Sequence, residues 1–213
     1  MGHPESSGWA ECATVPTSSL AVLPSDVLTS VAASLPLAGL TALRLTRASG
    51  PLASQRVLID GASGGVGHFF VELAASQGAL VTAVVGSVER GSRLVELGAA
   101  NVITEIDEGQ GPYDLAISSV GGDNVAAAWR QLTPEGTLIW MGQASGRPIT
   151  MDFLDWEGAS SGTLKRFSYL ANDVSVGDDL ATLLRLTEQS RLHPEIGLEA
   201  SWQKTPEAIR ALL

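Results

Sequence analysis

The run Val57-Leu58-Ile59-Asp60-Gly61-Ala62-Ser63-Gly64-Gly65-Val66-Gly67-His68-Phe69-Phe70 constrains the fold more than any other stretch of the chain. A strand-like apolar segment enters a turn of small residues and leaves as an apolar helix. Such a turn offers the first N–H groups of the helix, and the positive end of its dipole, to an anion. The glycines have separate tasks: Gly64 lets the backbone approach phosphates and Gly67 lets the helix pack against the strand. Ala62 stands where the strict G-x-G-x-x-G pattern has its first glycine, so the motif is read with its context. A strand before it, a helix after it and a further strand beyond point to a dinucleotide pyrophosphate.

Rival phosphate motifs fail on the same residues. A P-loop needs a lysine at the start of the helix, and no lysine precedes Lys165. The spacing Gly61-x-x-x-Gly65-x-Gly67 also fits a short-chain dehydrogenase. That chemistry requires Tyr-x-x-x-Lys, and the two tyrosines, Tyr113 and Tyr169, are followed at that distance by Ile117 and Asp173. An S-adenosylmethionine site would want an acidic residue at the end of the second strand, and none stands there.

The rest of the chain alternates short apolar runs with helical ones. Strands are predicted over Arg56–Asp60, Leu80–Val85, Asn101–Thr104, Asp114–Ser118, Thr137–Met141 and Leu164–Tyr169. Helices are predicted over Gly65–Gln77, Val88–Leu97 and Asp123–Leu132. Strand, helix, strand at this spacing implies parallel strands joined by right-handed crossovers, hence an α/β, Rossmann-type, doubly wound sheet of six strands. Before it, Trp9–Leu23 reads as one or two short strands or an extended arm. Asp26–Ala48 reads as two helices, with Ser25 or Asp26 as N-cap and a break at Pro36-Leu37-Ala38-Gly39. After it come a helix over Asp178–Gln189, a break at Leu192-His193-Pro194, a strand over Ile196–Trp202 and a helix over Thr205–Leu213.

With 45% hydrophobic and 17% charged residues among 213, the chain can bury one sizeable core with an appendage. Its formal charge of -10 argues against a nucleic-acid backbone or an anionic membrane as the main partner. A single cysteine, Cys12, and histidines scattered at His3, His68 and His193 show no metal-ligand spacing. The N-terminus lacks a basic region followed by an apolar run, and a cytoplasmic location is expected.

The residue that takes the ribose 2′-hydroxyl in NAD enzymes lies about 20 residues after the glycine turn. Here that region reads Val85-Gly86-Ser87-Val88-Glu89-Arg90. Small residues followed by Arg90 and Arg93 suit a 2′-phosphate, with Arg90 as its charge-assisted donor, so NADP(H) is expected over NAD(H). The alternative is that both arginines line a solvated helix face, and Glu89 and Glu105 would oppose a phosphate.

These features, with Gly8-Trp9-Ala10-Glu11, Leu35-Pro36-Leu37-Ala38-Gly39-Leu40-Thr41-Ala42, Leu97-Gly98-Ala99, Ser119-Val120-Gly121-Gly122, Leu132-x-Pro134-x-Gly136, Gly142 and Leu192-His193-Pro194, resemble the zinc-independent quinone oxidoreductase and enoyl reductase branch of the medium-chain dehydrogenase/reductases. The resemblance implies that Ser63, Gly64, Gly65, Val66 and Gly67 hold the pyrophosphate and that Ser87 and Arg90 hold the 2′-phosphate. It places Ser119 and Val120 beside the adenosine, and Thr41, Gly142 and Gln143 toward the nicotinamide. For Thr41 the alternative is a satisfied helix hydroxyl, and His68 reads as first-turn packing.

Two positions depart from the family pattern, which has an aspartate where Ser118 stands and often a tyrosine where Glu105 stands. The resemblance also implies a division into residues 1–25, a remnant of a β-rich, GroES-like catalytic domain, 26–190, the dinucleotide-binding domain, and 191–213, an incomplete return segment. The implied reaction moves a hydride from NADPH to a quinone or α,β-unsaturated carbonyl. No residue is assigned as catalytic, and no metal ligand is assigned. The expected partners are a small-molecule substrate and a second copy of the chain, paired through the strand near 164–169. The other reading is a non-catalytic NADPH-binding module or a partner subunit of a larger assembly.

Overall fold

The computed structural model describes residues 10–152, 154, 157–171 and 173–212. His3, the Gly8-Trp9 pair of the family-like pattern and the terminal Leu213 lie outside the described residues. An arm with one 3-10 turn at Thr17–Ser19 leads to α1 (Thr29–Ala33), a π-helical turn (Leu35–Gly39) and α2 (Leu40–Ala48). Then follow β1 (Arg56–Asp60), α3 (Gly65–Ala75), β2 (Leu80–Val84), a 3-10 turn (Val88–Gly91) running into α4 (Ser92–Glu96), β3 (Asn101–Ile103) and β4 (Tyr113–Ser118). The chain continues through α5 (Asp123–Arg130), β5 (Leu132–Trp140), β6 (Thr163–Arg166), α6 (Val176–Glu188), a 3-10 turn (Trp202–Lys204) and α7 (Thr205–Leu212).

All strands pair in parallel, in the order β3-β2-β1-β4-β5-β6. The chain therefore builds outward from β1 in one direction, returns, and builds outward from β4 in the other. The crevice between β1 and β4 is the point where the strand order reverses, which is where open α/β sheets bind ligands.

The central strands are covered on both faces, which explains why β1, β2 and much of β4 read as apolar runs. Successive side chains alternate between two cores. Val57 and Ile59 of β1, Leu115 and Ile117 of β4 and Ile139 of β5 join Leu45 of α2, Phe69 and Phe70 of α3 and Leu183 of α6. Leu58, Ala116 and Leu138 face the other way, onto Val125 and Ala128 of α5.

Several boundaries depart from the sequence reading. Neither Ser25 nor Asp26 caps α1: Ser25 donates to the Asp26 carboxylate, and the helix starts at Thr29 without a side-chain cap. Pro36 does not break the helices apart, because the Leu40 N–H reaches the Leu35 carbonyl across a π-turn that needs no N–H from Pro36. β5 begins at Leu132 rather than Thr137. Its register jumps between the Tyr113–Leu132 and Leu115–Thr137 pairs, and the extra residues, Pro134 among them, form a bulge that needs no ladder donor. The arm at 10–24 is extended and the stretch 196–202 is not a strand. Ile196, Leu198 and Trp202 remain exposed, and alternation makes a strand only where another strand offers an edge.

Candidate functional site: the crevice between the first and fourth strands

The glycine turn is shaped by space as much as by conformation. Gly61 has φ +81°, and a Cβ there would lie 2.1 Å from the Ser119 hydroxyl oxygen. A Cβ on Gly67 would lie 2.4 Å from the Ala62 carbonyl oxygen, so this glycine lets α3 rest on the turn itself. Ala62 is buried and donates its N–H to Val84 O. The left-handed position falls on Gly61, one residue earlier, which is why an alanine is accommodated at Ala62. Gly64 is the N-cap of α3, and the first bond of the helical ladder runs from the His68 N–H to Gly64 O. The Gly65, Val66 and Gly67 N–H groups thus precede the ladder, above the carboxyl end of the sheet.

At the end of β2, the guanidinium of Arg90 lies 4.0 Å from where a Gly86 Cβ would stand, so the exposed side chain folds back over the glycine. Arg90 forms no ion pair among the described residues. Arg93, which the sequence offers equally, is held by Glu96 and by Glu195 and is committed elsewhere. The Glu89 carboxylate is held below its usual range by its own backbone N–H and by the Ser87 hydroxyl. Glu105 is exposed.

The loops after β4 and β5 are zipped together. Met141, Ala144 and Ser145 donate their N–H groups to the Ser118, Ser119 and Val120 carbonyls at 3.0, 3.1 and 2.9 Å. Gly142 lies so close that a Cβ would stand 2.9 Å from Ser119 O, and Gly121, at φ +74°, would meet Gln143. Ser119, Val120, Gly142 and Gln143 are thereby brought to one wall. The predicted sites on Ser63–Gly67, Ser87 and Arg90 end the neighbouring strand β1 and its partner β2.

Thr41 lies in the first turn of α2, buried at 7% exposure, in the segment whose Ala38 packs against Gly65. Thr46 spends its hydroxyl on Ala42 O, whereas the Thr41 hydroxyl makes no hydrogen bond among the described residues. His68 packs on Phe69, with Nδ1 at Gly64 O and Nε2 receiving the Glu195 N–H. Burial holds its pKa below the usual histidine value, partly offset by the Gly64 carbonyl and the nearby Glu195 and Glu72.

Sequence reasoning missed Asp60 and Asn124. Asp60 is 2% exposed, and its carboxylate receives the Ser118 hydroxyl and the Asn124 amide, each at 3.0 Å, and the Val120 N–H. Burial raises its pKa, and these donors oppose the rise. The available signal was a lone carboxylate closing an apolar buried run.

The family model for zinc-binding dehydrogenases matches residues 65–175. NorB, a spectinabilin polyketide synthase system protein of Streptomyces orinoci, is 31% identical over 204 residues, covering 91% of this chain and 9% of its own length. A 2-haloacrylate reductase of a Burkholderia species is 34% identical over 101 residues, covering 42% of this chain and 30% of the reductase. Among solved structures, a mycobacterial protein complexed with NADPH aligns with a TM-score of 0.84 at 26% identity, over 97% of this chain and 69% of that one. This chain spans less than a tenth of the polyketide synthases it matches. Among the described residues, no three His, Cys, Asp or Glu side chains are grouped so as to hold a metal ion.

Proposed function

The chain belongs to the zinc-binding dehydrogenase family, within the medium-chain dehydrogenase/reductase superfamily and like its zinc-independent quinone and enoyl reductases, and from that premise we propose that it binds NADPH across the β1–β4 crevice to reduce an α,β-unsaturated carbonyl or a quinone. The observation that carries the reading is the pairing of a glycine-cradled helix N-terminus with an exposed Arg90 beyond the end of the adjacent strand, which forms no ion pair among the described residues. Ser63–Gly67 take the pyrophosphate on backbone N–H groups, and Ser87 and Arg90 take the 2′-phosphate. Ser119 and Val120 line the adenosine side, while Thr41, Gly142 and Gln143 face the nicotinamide.

The bound cofactor supplies a hydride to the electron-poor carbon of the substrate. The residues of this chain bind, orient and exclude water; none is assigned as a proton donor. Of the two substrate classes, the unsaturated carbonyl is favoured by the reductase relative, whose named substrate is an α,β-unsaturated acid. In the same reading, residues 26–190 form the cofactor domain, with 1–25 and 191–213 belonging to a second domain. The chain works in the cytoplasm as a homodimer joined through β6.

The test is a fluorescence titration with NADPH and NADH on the wild-type protein and Arg90→Ala. Loss of a charge-assisted contact weakens NADPH binding by about tenfold or more, while NADH binding changes by less than about twofold. Equal losses for both cofactors overturn the phosphate assignment. Consumption of NADPH with simple enones supports the enzyme, and binding without turnover supports a cofactor-binding module that completes its site in a larger assembly.

A further inference from the structure

Asp60 is the last residue of β1 and the register partner of both Val84 and Ser118. A carboxylate at 2% exposure costs free energy unless donors surround it, so the direction of its hydrogen bonds reveals what it is there to hold. All three donors to its side chain, the Ser118 hydroxyl, the Val120 N–H and the Asn124 amide, come from one stretch of seven residues that begins with the last residue of β4. The Ser118 oxygen in turn accepts the Gly121 N–H at 3.1 Å. The Asp60 carbonyl accepts both the Ser119 N–H, at 3.3 Å, and the Ser119 hydroxyl, at 2.9 Å. Every residue from Ser118 to Gly121 is therefore tied, directly or through Ser118, to this single position.

This loop contains Gly121 and Gly122, both left-handed, at φ +74° and +62°. A segment with two such glycines has wide conformational freedom, which bonds to fixed groups must restrict. The Asp60 carboxylate supplies such bonds to Ser118 and Asn124, on either side of the two glycines. The selected shape is then passed on, because the Met141–Ser145 loop bonds to the carbonyls of Ser118, Ser119 and Val120.

We infer that Asp60 is a positioning residue of the crevice: its carboxylate sets the conformation of the 118–124 loop and, through it, of the 141–145 loop, so that the wall they form is shaped before the cofactor arrives. The cofactor half of this statement rests on the NADPH reading above. Asp60 itself is covered and acts only through the backbone it holds.

Hydrogen exchange on the cofactor-free full chain tests the positioning without any ligand. In Asp60→Asn, the amides of Val120, Gly121, Ala144 and Ser145 exchange about tenfold faster or more, the scale of a lost hydrogen bond to a charged group, while those of β2, β3 and α3 keep their protection. The exchange Asp60→Ser with Ser118→Asp, which moves the carboxylate across the register pair, restores protection in part. Should Asp60→Asn fail to fold, Ser118→Ala and Asn124→Ala each remove one donor and leave the carboxylate; both then accelerate the same amides. Unchanged local exchange in these variants, or a uniform loss of protection across the sheet, overturns the inference. NADPH titration of the same proteins separates the two claims. A wild-type protein that binds no NADPH sinks the cofactor reading, and the exchange data still decide the positioning. Wild-type binding with an undiminished affinity in folded Asp60→Asn sinks the positioning role.

Discussion

Gly67 and Gly197 are both glycines, yet only one is required by its surroundings. A Cβ at Gly67 would sit 2.4 Å from Ala62 O, which is backbone at the root of the turn and cannot swing aside, whereas nothing lies within 4 Å of the equivalent point at Gly197. Gly67→Ala must push α3 off the turn, and overpacking of this kind costs about 1–3 kcal/mol. Gly197→Ala, where φ is not in the left-handed region, is expected to be neutral or mildly stabilising by restricting the unfolded chain. Thermal unfolding of the two variants checks the contrast, and equal melting temperatures would refute the packing argument. At this scale the glycine turn was legible because each glycine does its work within a few residues of chain. Asp60 was not, because its partners Ser118 and Asn124 lie 58 and 64 residues away and only the β1–β4 pairing brings them together.

Strands and helices were legible to the extent that their patterns are local. β1, buried on both faces, reads as an apolar run and was bounded without error. The start of β5 was not, since a bulge depends on the register of its neighbour. The joint between α2 and α6 was equally invisible, and it carries a prediction of its own. Asp179 is wholly buried and accepts from Arg44 at 2.6 Å and from Arg47, while Arg44 also donates to Tyr169 O and Val174 O, fastening the stretch between β6 and α6 to α2. Removing one partner of a buried pair strands the other charge, so Asp179→Ala, which leaves Arg44 buried at 4% exposure, should cost about 3–5 kcal/mol. Arg47 is 39% exposed and water can replace its contact, so Arg47→Ala should cost less than about 1 kcal/mol. Urea unfolding distinguishes them, and a mild Asp179→Ala would mean that α2 and α6 are held by their apolar contacts alone.

For the molecule as a whole, the doubly wound parallel sheet followed from the strand–helix alternation, but how the sheet ends did not. β6 is exposed along its length, with Leu164 at 46%. Charged side chains usually guard such an edge against pairing with another chain. Here both are turned back onto their own molecule: Lys165 donates to Ala48 O at 3.0 Å, and Arg166 lies over the Trp140 ring at 5.9 Å. The edge is thus left open, in keeping with the proposed two-fold dimer, in which the same strand meets its copy. The Phe167 N–H points inward, to Trp140 O, so alternation along the strand turns the Leu164 and Arg166 N–H groups outward. Leu164→Pro therefore deletes an outward donor and spares the β5–β6 ladder, a position where a sheet tolerates proline. Light scattering should give the wild-type protein twice the 22.1 kDa mass of the chain and the variant a single mass, with cofactor binding intact in both. A monomeric wild type, or a variant that still dimerises, would remove β6 from the interface.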